Sequence, residues 1–96
     1  MKVVLRAACV QDLQDARQWY EKERAGLGAD FRTAIDRTIA TIRAHPLRFR
    51  VLAMDVRQAL VRRFPYRLLY RIVGDEIQVV ACYHAHRDPR LWTERQ

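Results

Sequence analysis

Lysine is nearly absent from this 96-residue chain: Lys2 and Lys22 are the only two, which leaves 16 arginines among the 18 basic residues. An arginine keeps its proton at any pH a cell reaches, so it supplies charge and hydrogen-bond donors but no base. Cysteine is scarce too. Cys9 and Cys82 lack CxxC spacing and are too few for a disulfide scaffold, which points to reduced thiols in or near the core. No apolar run reaches the roughly 18 residues that read as a membrane-spanning helix. The start, Met1 to Leu13, turns polar too soon for a secretory signal. The expectation is a cytoplasmic protein that does not enter the membrane. The chain has no glycine-rich phosphate loop, Ser-His-Asp order or Cys-His nucleophile pattern, and no repeat or linker divides it. Residues 1–96 are therefore expected to form a single domain.

What is present is positive charge, unevenly spread. The formal net charge is +7 and the isoelectric point about 10.2. Eight basic and six acidic residues up to Leu47 give +2; ten basic and five acidic residues after it give +5. The planar guanidinium fork suits bidentate contact with phosphate or carboxylate. The partner expected from charge is therefore anionic, either nucleic acid or an acidic protein segment.

Hydrophobic periodicity gives the elements. Lys2 to Arg6 reads as a first strand. Val10, Leu13, Ala16, Trp19 or Tyr20, and Leu27 recur at helical steps, with Gly26 and Gly28 ending that helix. A second helix carries Phe31, Ile35, Thr38 or Ile39, and Ile42, and stops at His45 because Pro46 disfavours helical geometry before it. Leu47 to Met54 reads as an irregular connection and Val56 to Val61 as a strand. Tyr66 to Val73 alternates with a period of two, Gly74-Asp75 suits a hairpin turn, and Glu76 to His84 returns. The implied fold is α+β: a small antiparallel sheet packed on a two-helix hairpin, in the order β-α-α-β-β-β. Phe31, Ile35, Ile39, Leu68, Tyr70, Ile72, Ile77, Val79 and Ala81 are expected in the core. On the last strand, Ile77, Val79, Ala81 and Tyr83 should share the helix-facing side, with His84 on the other.

The spacing resembles a known family. Asp12-Leu13, Ala16, Trp19-Tyr20-Glu21, Gly26-Leu27-Gly28, Phe31, Ile39, Ile42, Pro46 and Phe49 carry the first half of the likeness. Val56-Arg57, Val61, Arg63-Phe64-Pro65-Tyr66, Tyr70, Ile72, Ile77, Val79, Ala81, His84, Arg87-Asp88-Pro89 and Trp92 carry the second. Together they resemble the RelE/ParE superfamily of type II toxins of the plasmid-stabilisation kind. The resemblance implies a growth-inhibiting toxin neutralised by a cognate antitoxin, which typically lays an extended, often helical and acidic segment over it. It also implies one of two targets. RelE-like toxins cleave mRNA in the ribosome, whereas ParE-like toxins poison DNA gyrase without cutting nucleic acid.

RNA cleavage through the 2′-hydroxyl needs a base, a cation near the phosphate and a proton donor. RelE-like enzymes resemble one another in using Lys, Arg and Tyr, or Glu, Arg and His. With lysine so rare, proton transfer here would fall to His84 or His86, with Tyr83 and Asp55 as further candidates. Arg57, Arg62, Arg67, Arg87 and Arg90 would contact nucleic acid or another target. The missing lysines favour the gyrase-directed mode over the ribonuclease. A third possibility is a basic module that grips nucleic acid and leaves growth unaffected. His84 and His86 stand two apart with no further ligand cluster, so neither metal nor cofactor is expected. Tyr66 and Tyr70 read as core, and Trp19 and Trp92 as packing anchors.

Overall fold

The computed structural model describes residues 1–85. Its elements are β1 (Lys2–Leu5), α1 (Ala7–Glu23), α2 (Leu27–Ala44), β2 (Val51–Ala53), β3 (Val56–Leu60), β4 (Tyr66–Val73) and β5 (Glu76–His84). The strands lie in the order β1-β5-β4-β3-β2, with α1 and α2 against one face. The α+β arrangement expected from the sequence is present, with two amendments. The first strand pairs parallel to β5, in register Lys2↔Glu76 to Leu5↔Val79, so the sheet is mixed. The stretch read as irregular contains β2, a short edge strand antiparallel to β3. Three residues are too few for an alternating pattern to show.

The helices meet the sheet through the cluster built on Phe31, Ile35, Ile42, Leu68, Tyr70, Ile77 and Val79. Ile39 and Ile72 pack only partly buried at its edge. Helix α1 is turned by about one residue from the expected stripe. Cys9, Ala16 and Tyr20 are buried, whereas Val10 is exposed and Trp19 is 56% exposed. Two contacts set that rotation. The Tyr20 ring stacks on Phe31 at 5.2 Å while Trp19 stands outside, edge-on to Tyr20. The Asp12 carboxylate also has to face the sheet, because it accepts the Cys82 backbone N–H at 3.1 Å.

The Gly-Leu-Gly segment starts α2 rather than ending α1. Helix α1 finishes at Glu23, and Gly26, at φ 90°, is the N-cap of α2. The free N–H groups of this helix start are taken by Glu21, whose carboxylate accepts from Gly26 (3.0 Å) and Gly28 (3.0 Å). Those bonds, with Gly26 the larger influence and Arg17 adding to them, hold the Glu21 carboxyl below its ordinary 4.5. Because the folded value is the lower one, this stabilisation is complete above the unfolded value and disappears as pH falls through the folded one. Glu21→Gln is expected to lower the melting temperature at neutral pH and to flatten its fall between neutrality and pH about 3. Equal acid slopes in wild type and variant would show that the clamp contributes nothing.

A β-bulge decides the faces of β5. Tyr70 pairs with Val79 but Leu69 pairs with Ala81, so Val80 is an extra residue and the alternation shifts phase there. Before it, Ile77 and Val79 face the helices as expected. After it, Cys82 joins the helix-side core, whereas Ala81 and Tyr83 join Val56, Leu69 and Val80 in a second apolar cluster on the opposite face. His84, expected on that far side, pairs instead with Tyr66, with ring centroids 5.3 Å apart, on the helix side.

Candidate interaction surface

The arginines expected to act together are distributed over three environments. Arg57 pairs with Tyr70 in the β3–β4 ladder and shares its helix-side face. Its Nη1 donates to the Phe49 (2.7 Å) and Leu47 (3.2 Å) carbonyls, beside Pro46, whose carbonyl accepts from the Tyr70 hydroxyl at 2.6 Å. Burial raises the Tyr70 hydroxyl above its ordinary 10.0, with Arg57 opposing, so it remains a donor. Arg57 thus fastens the connection after α2 through one guanidinium nitrogen.

Arg67 lies on the far face of β4, across from Tyr83. It donates to Gln58 Oε1 at 2.8 Å and to the Ala85 carbonyl at 2.7 Å. Four residues on, Arg71 pairs with Asp55 at 2.8 Å. The Nε atoms of both arginines are buried and make no hydrogen bond. His86, Arg87 and Arg90 lie outside the described residues, as does Trp92.

Arg62 occupies the third environment, an open groove of about 990 Å³ between α2 and the β3 side of the sheet. Arg37, Arg48, Arg62 and Arg63 line it, with Asp30 the only carboxylate there among the described residues, and Ala34, Phe49 and Leu60 supply apolar surface. Among the described residues none of these four guanidinium groups makes a hydrogen bond or an ion pair, the ion pairs being Arg32–Asp36 and Arg71–Asp55. Thr33 and Thr41 also line the groove, but their hydroxyls are spent on carbonyls one turn back in α2. Arg63 sits at φ 74°, a region where glycine is at ease and other residues are strained. Sequence reasoning missed Arg37, Arg48 and Arg63 as site residues. The i, i+4 recurrence of Thr33, Arg37 and Thr41 along α2 is the available signal, but the buried stripe of Phe31, Ile35 and Ile42 is the stronger pattern in that helix.

Among the described residues no group of three His, Cys, Asp or Glu side chains is placed to hold a metal ion. No helix there is long and apolar enough to cross a membrane.

Comparison with known proteins decides between families that share this architecture. The family described as "ParE toxin of type II toxin-antitoxin system, parDE" matches residues 3–89. The chain belongs to the ParE toxin family. It is the toxin component of a type II toxin–antitoxin system. Among solved structures it is similar to a chain of the chromosomal ParDE system from P. aeruginosa, at 17% identity and a TM-score of 0.71, covering 90% of this chain and 97% of that one. The intact E. coli RelBE toxin–antitoxin complex contains a similar chain at 15% identity and 0.67, covering 90% and 98%. The isolated E. coli RelE toxin follows at 15% and 0.65, covering 98% and 93%. No curated protein sequence matches the chain. At these identities the structural likenesses establish the shared toxin fold.

Proposed function

We propose that this toxin arrests growth by inhibiting DNA gyrase without cutting nucleic acid, and that a cognate antitoxin holds it inactive in the cytoplasm. The whole chain, residues 1–96, acts as one domain in this reading. The observation that carries it is the state of the ionisable groups on the sheet. His84 packs edge-on to Tyr66 at the helix side, while Arg67 and Arg71 are committed to Gln58, the Ala85 carbonyl and Asp55. A nuclease needs a proton-transfer group beside a cation that is free to bind phosphate. The two lysines stand apart, on edge strand β1 and near the end of α1. Inhibition by binding instead spreads its energy over an interface and has no such requirement.

Ribosome-dependent mRNA cleavage is the second reading, favoured by one feature: Tyr83 lies directly across the ladder from Arg67 on the far face. Induced expression in bacteria separates the two, scored by mRNA integrity against the DNA-damage response. Gyrase inhibition predicts damage signalling with intact mRNA. It also predicts that the double variant His84→Ala, His86→Ala stays folded and toxic. Loss of general acid–base catalysis would instead lower a nuclease rate about 100- to 10,000-fold. Rapid mRNA decay abolished by that variant would replace the gyrase reading with the nuclease.

A further inference from the structure

Trp19, read from the sequence as a packing anchor, stands 56% exposed on α1. Among the described residues its one ring contact is edge-on to Tyr20, at 5.1 Å, and no cation lies over the indole. Asp15 and Glu23 stand four residues to either side, which makes both carboxylates its neighbours on the helix surface. Both side chains are exposed. Asp15 accepts from the Gln11 side chain at 2.8 Å through one oxygen. Glu23 has no hydrogen bond or ion pair among the described residues.

Charge sets this helix apart from the protein that carries it. Ala7–Glu23 holds Asp12, Asp15, Glu21 and Glu23 against Arg17 and Lys22, a net −2 in a chain of +7. Asp12 and Glu21 are committed to the Cys82, Gly26 and Gly28 amides. That leaves Asp15 and Glu23, the two beside Trp19.

An aromatic face between two carboxylates suits a cation. The ring quadrupole attracts a guanidinium or ammonium group laid on it, and a carboxylate at each side adds direct pairing. Nucleic acid is disfavoured, because its phosphates would meet two like charges. A second copy of this chain is repelled by its own +7.

We propose that the Asp15–Trp19–Glu23 stripe of α1 is a contact surface for the target protein, which lays an arginine or lysine side chain across the indole. This rests on gyrase as the target and specifies the chemistry that holds it. Trp19 is the anchor, and the carboxylates select a basic residue over an apolar one.

The test uses the full-length toxin and purified DNA gyrase, read by binding and by inhibition of supercoiling. Trp19→Ala should weaken both by roughly ten- to thirtyfold, as for an aromatic hot spot. Trp19→Phe keeps a π face and should stay within about fivefold of wild type. Trp19→Leu keeps apolar surface without that face and should lose as much as alanine. Asp15→Lys with Glu23→Lys changes two positions by +2 each, taking the net charge from +7 to +11. General attraction to an anionic target would then tighten binding, whereas the stripe predicts a loss of roughly ten- to a hundredfold. Circular dichroism checks folding, and the charge-reversed variant carries the test if a Trp19 variant does not fold.

Inhibition by wild type that Trp19→Ala and the charge-reversed variant match within about twofold would show that the stripe is not the contact. Leucine as good as tryptophan would make the contact plainly apolar, and tighter binding after charge reversal would make it generally electrostatic; either result overturns the proposal. A charge-reversed toxin that loses its antitoxin and still inhibits gyrase would assign the stripe to the antitoxin instead. A folded wild-type toxin without effect on gyrase overturns the target assignment itself.

Discussion

Phe31→Ala is expected to destabilise the toxin by about 4 kcal/mol, within the range for truncating a buried phenylalanine. Phe31 is 1% exposed and is one of four rings brought together from three parts of the chain. It stacks on Tyr20 of α1 at 5.2 Å and meets Phe64 and Tyr66 edge-on, each at 5.3 Å. Alanine would lose the transfer free energy of the ring and leave a void that two helices and a strand must collapse around. A small domain has about 5 to 15 kcal/mol of stability to lose, so the variant should melt roughly 20 °C lower. Phe31→Leu keeps most of the volume and should cost about 1.5 kcal/mol or less. Both are read by chemical and thermal denaturation. A loss below about 1 kcal/mol for the alanine variant would show that the ring cluster does not tie α2 to α1 and the sheet.

Gly28→Ala is expected to be destabilising although it replaces glycine in a helix. Helix propensity alone favours alanine by about 0.5 to 1 kcal/mol. Against that, a Cβ at position 28 would lie 2.9 Å from Glu21 Oε1, 3.0 Å from the Arg17 carbonyl oxygen and 3.2 Å from Arg17 Cγ. Glu21 can rotate away, but then Gly26 and Gly28 lose their acceptor. The Arg17 carbonyl belongs to the α1 backbone and moves only if the helices separate at this end. Overpacking of that kind costs about 1 to 3 kcal/mol, so the net loss should be about 1 to 2 kcal/mol. Glu21→Ala in the same chain removes one of the three close contacts and should recover little, since both contacts with Arg17 remain. Gly74→Ala is the control. It meets nothing within 4 Å and carries only the strain of φ +62°, about 1 kcal/mol. A Gly28→Ala protein as stable as wild type would mean that the interhelical contact is looser than these distances.

The sequence by itself determined the order of elements apart from β2, the end of α2 before Pro46, the Gly74-Asp75 hairpin and the buried face of α2. Each rests on local chemistry: a period of 3.6 or 2, a residue that cannot continue a helix, or a turn that wants positive φ. It also carried the family, because Asp12 to Phe49 and Val56 to Trp92 keep a spacing that no single element imposes. Tertiary structure decided the rest. Nothing local marks Val80 as the extra residue of a bulge, since Glu76 to His84 alternates plausibly in either phase; only pairing with Leu69 and Tyr70 moves Ala81, Tyr83 and His84 to their observed faces. Nothing local distinguishes Trp19 from Tyr20 until Asp12 meets the Cys82 amide and fixes the rotation of α1. The arginines show the same division. Their number and sign were legible, but their roles depend on acceptors distant in sequence. Arg57 finds two loop carbonyls, Arg67 finds Gln58 and Ala85, and Arg37, Arg48, Arg62 and Arg63 converge from a helix and two loops on a groove where, among the described residues, they find none. A guanidinium's role is set by what it can reach, and reach across the fold is decided only when the chain has closed.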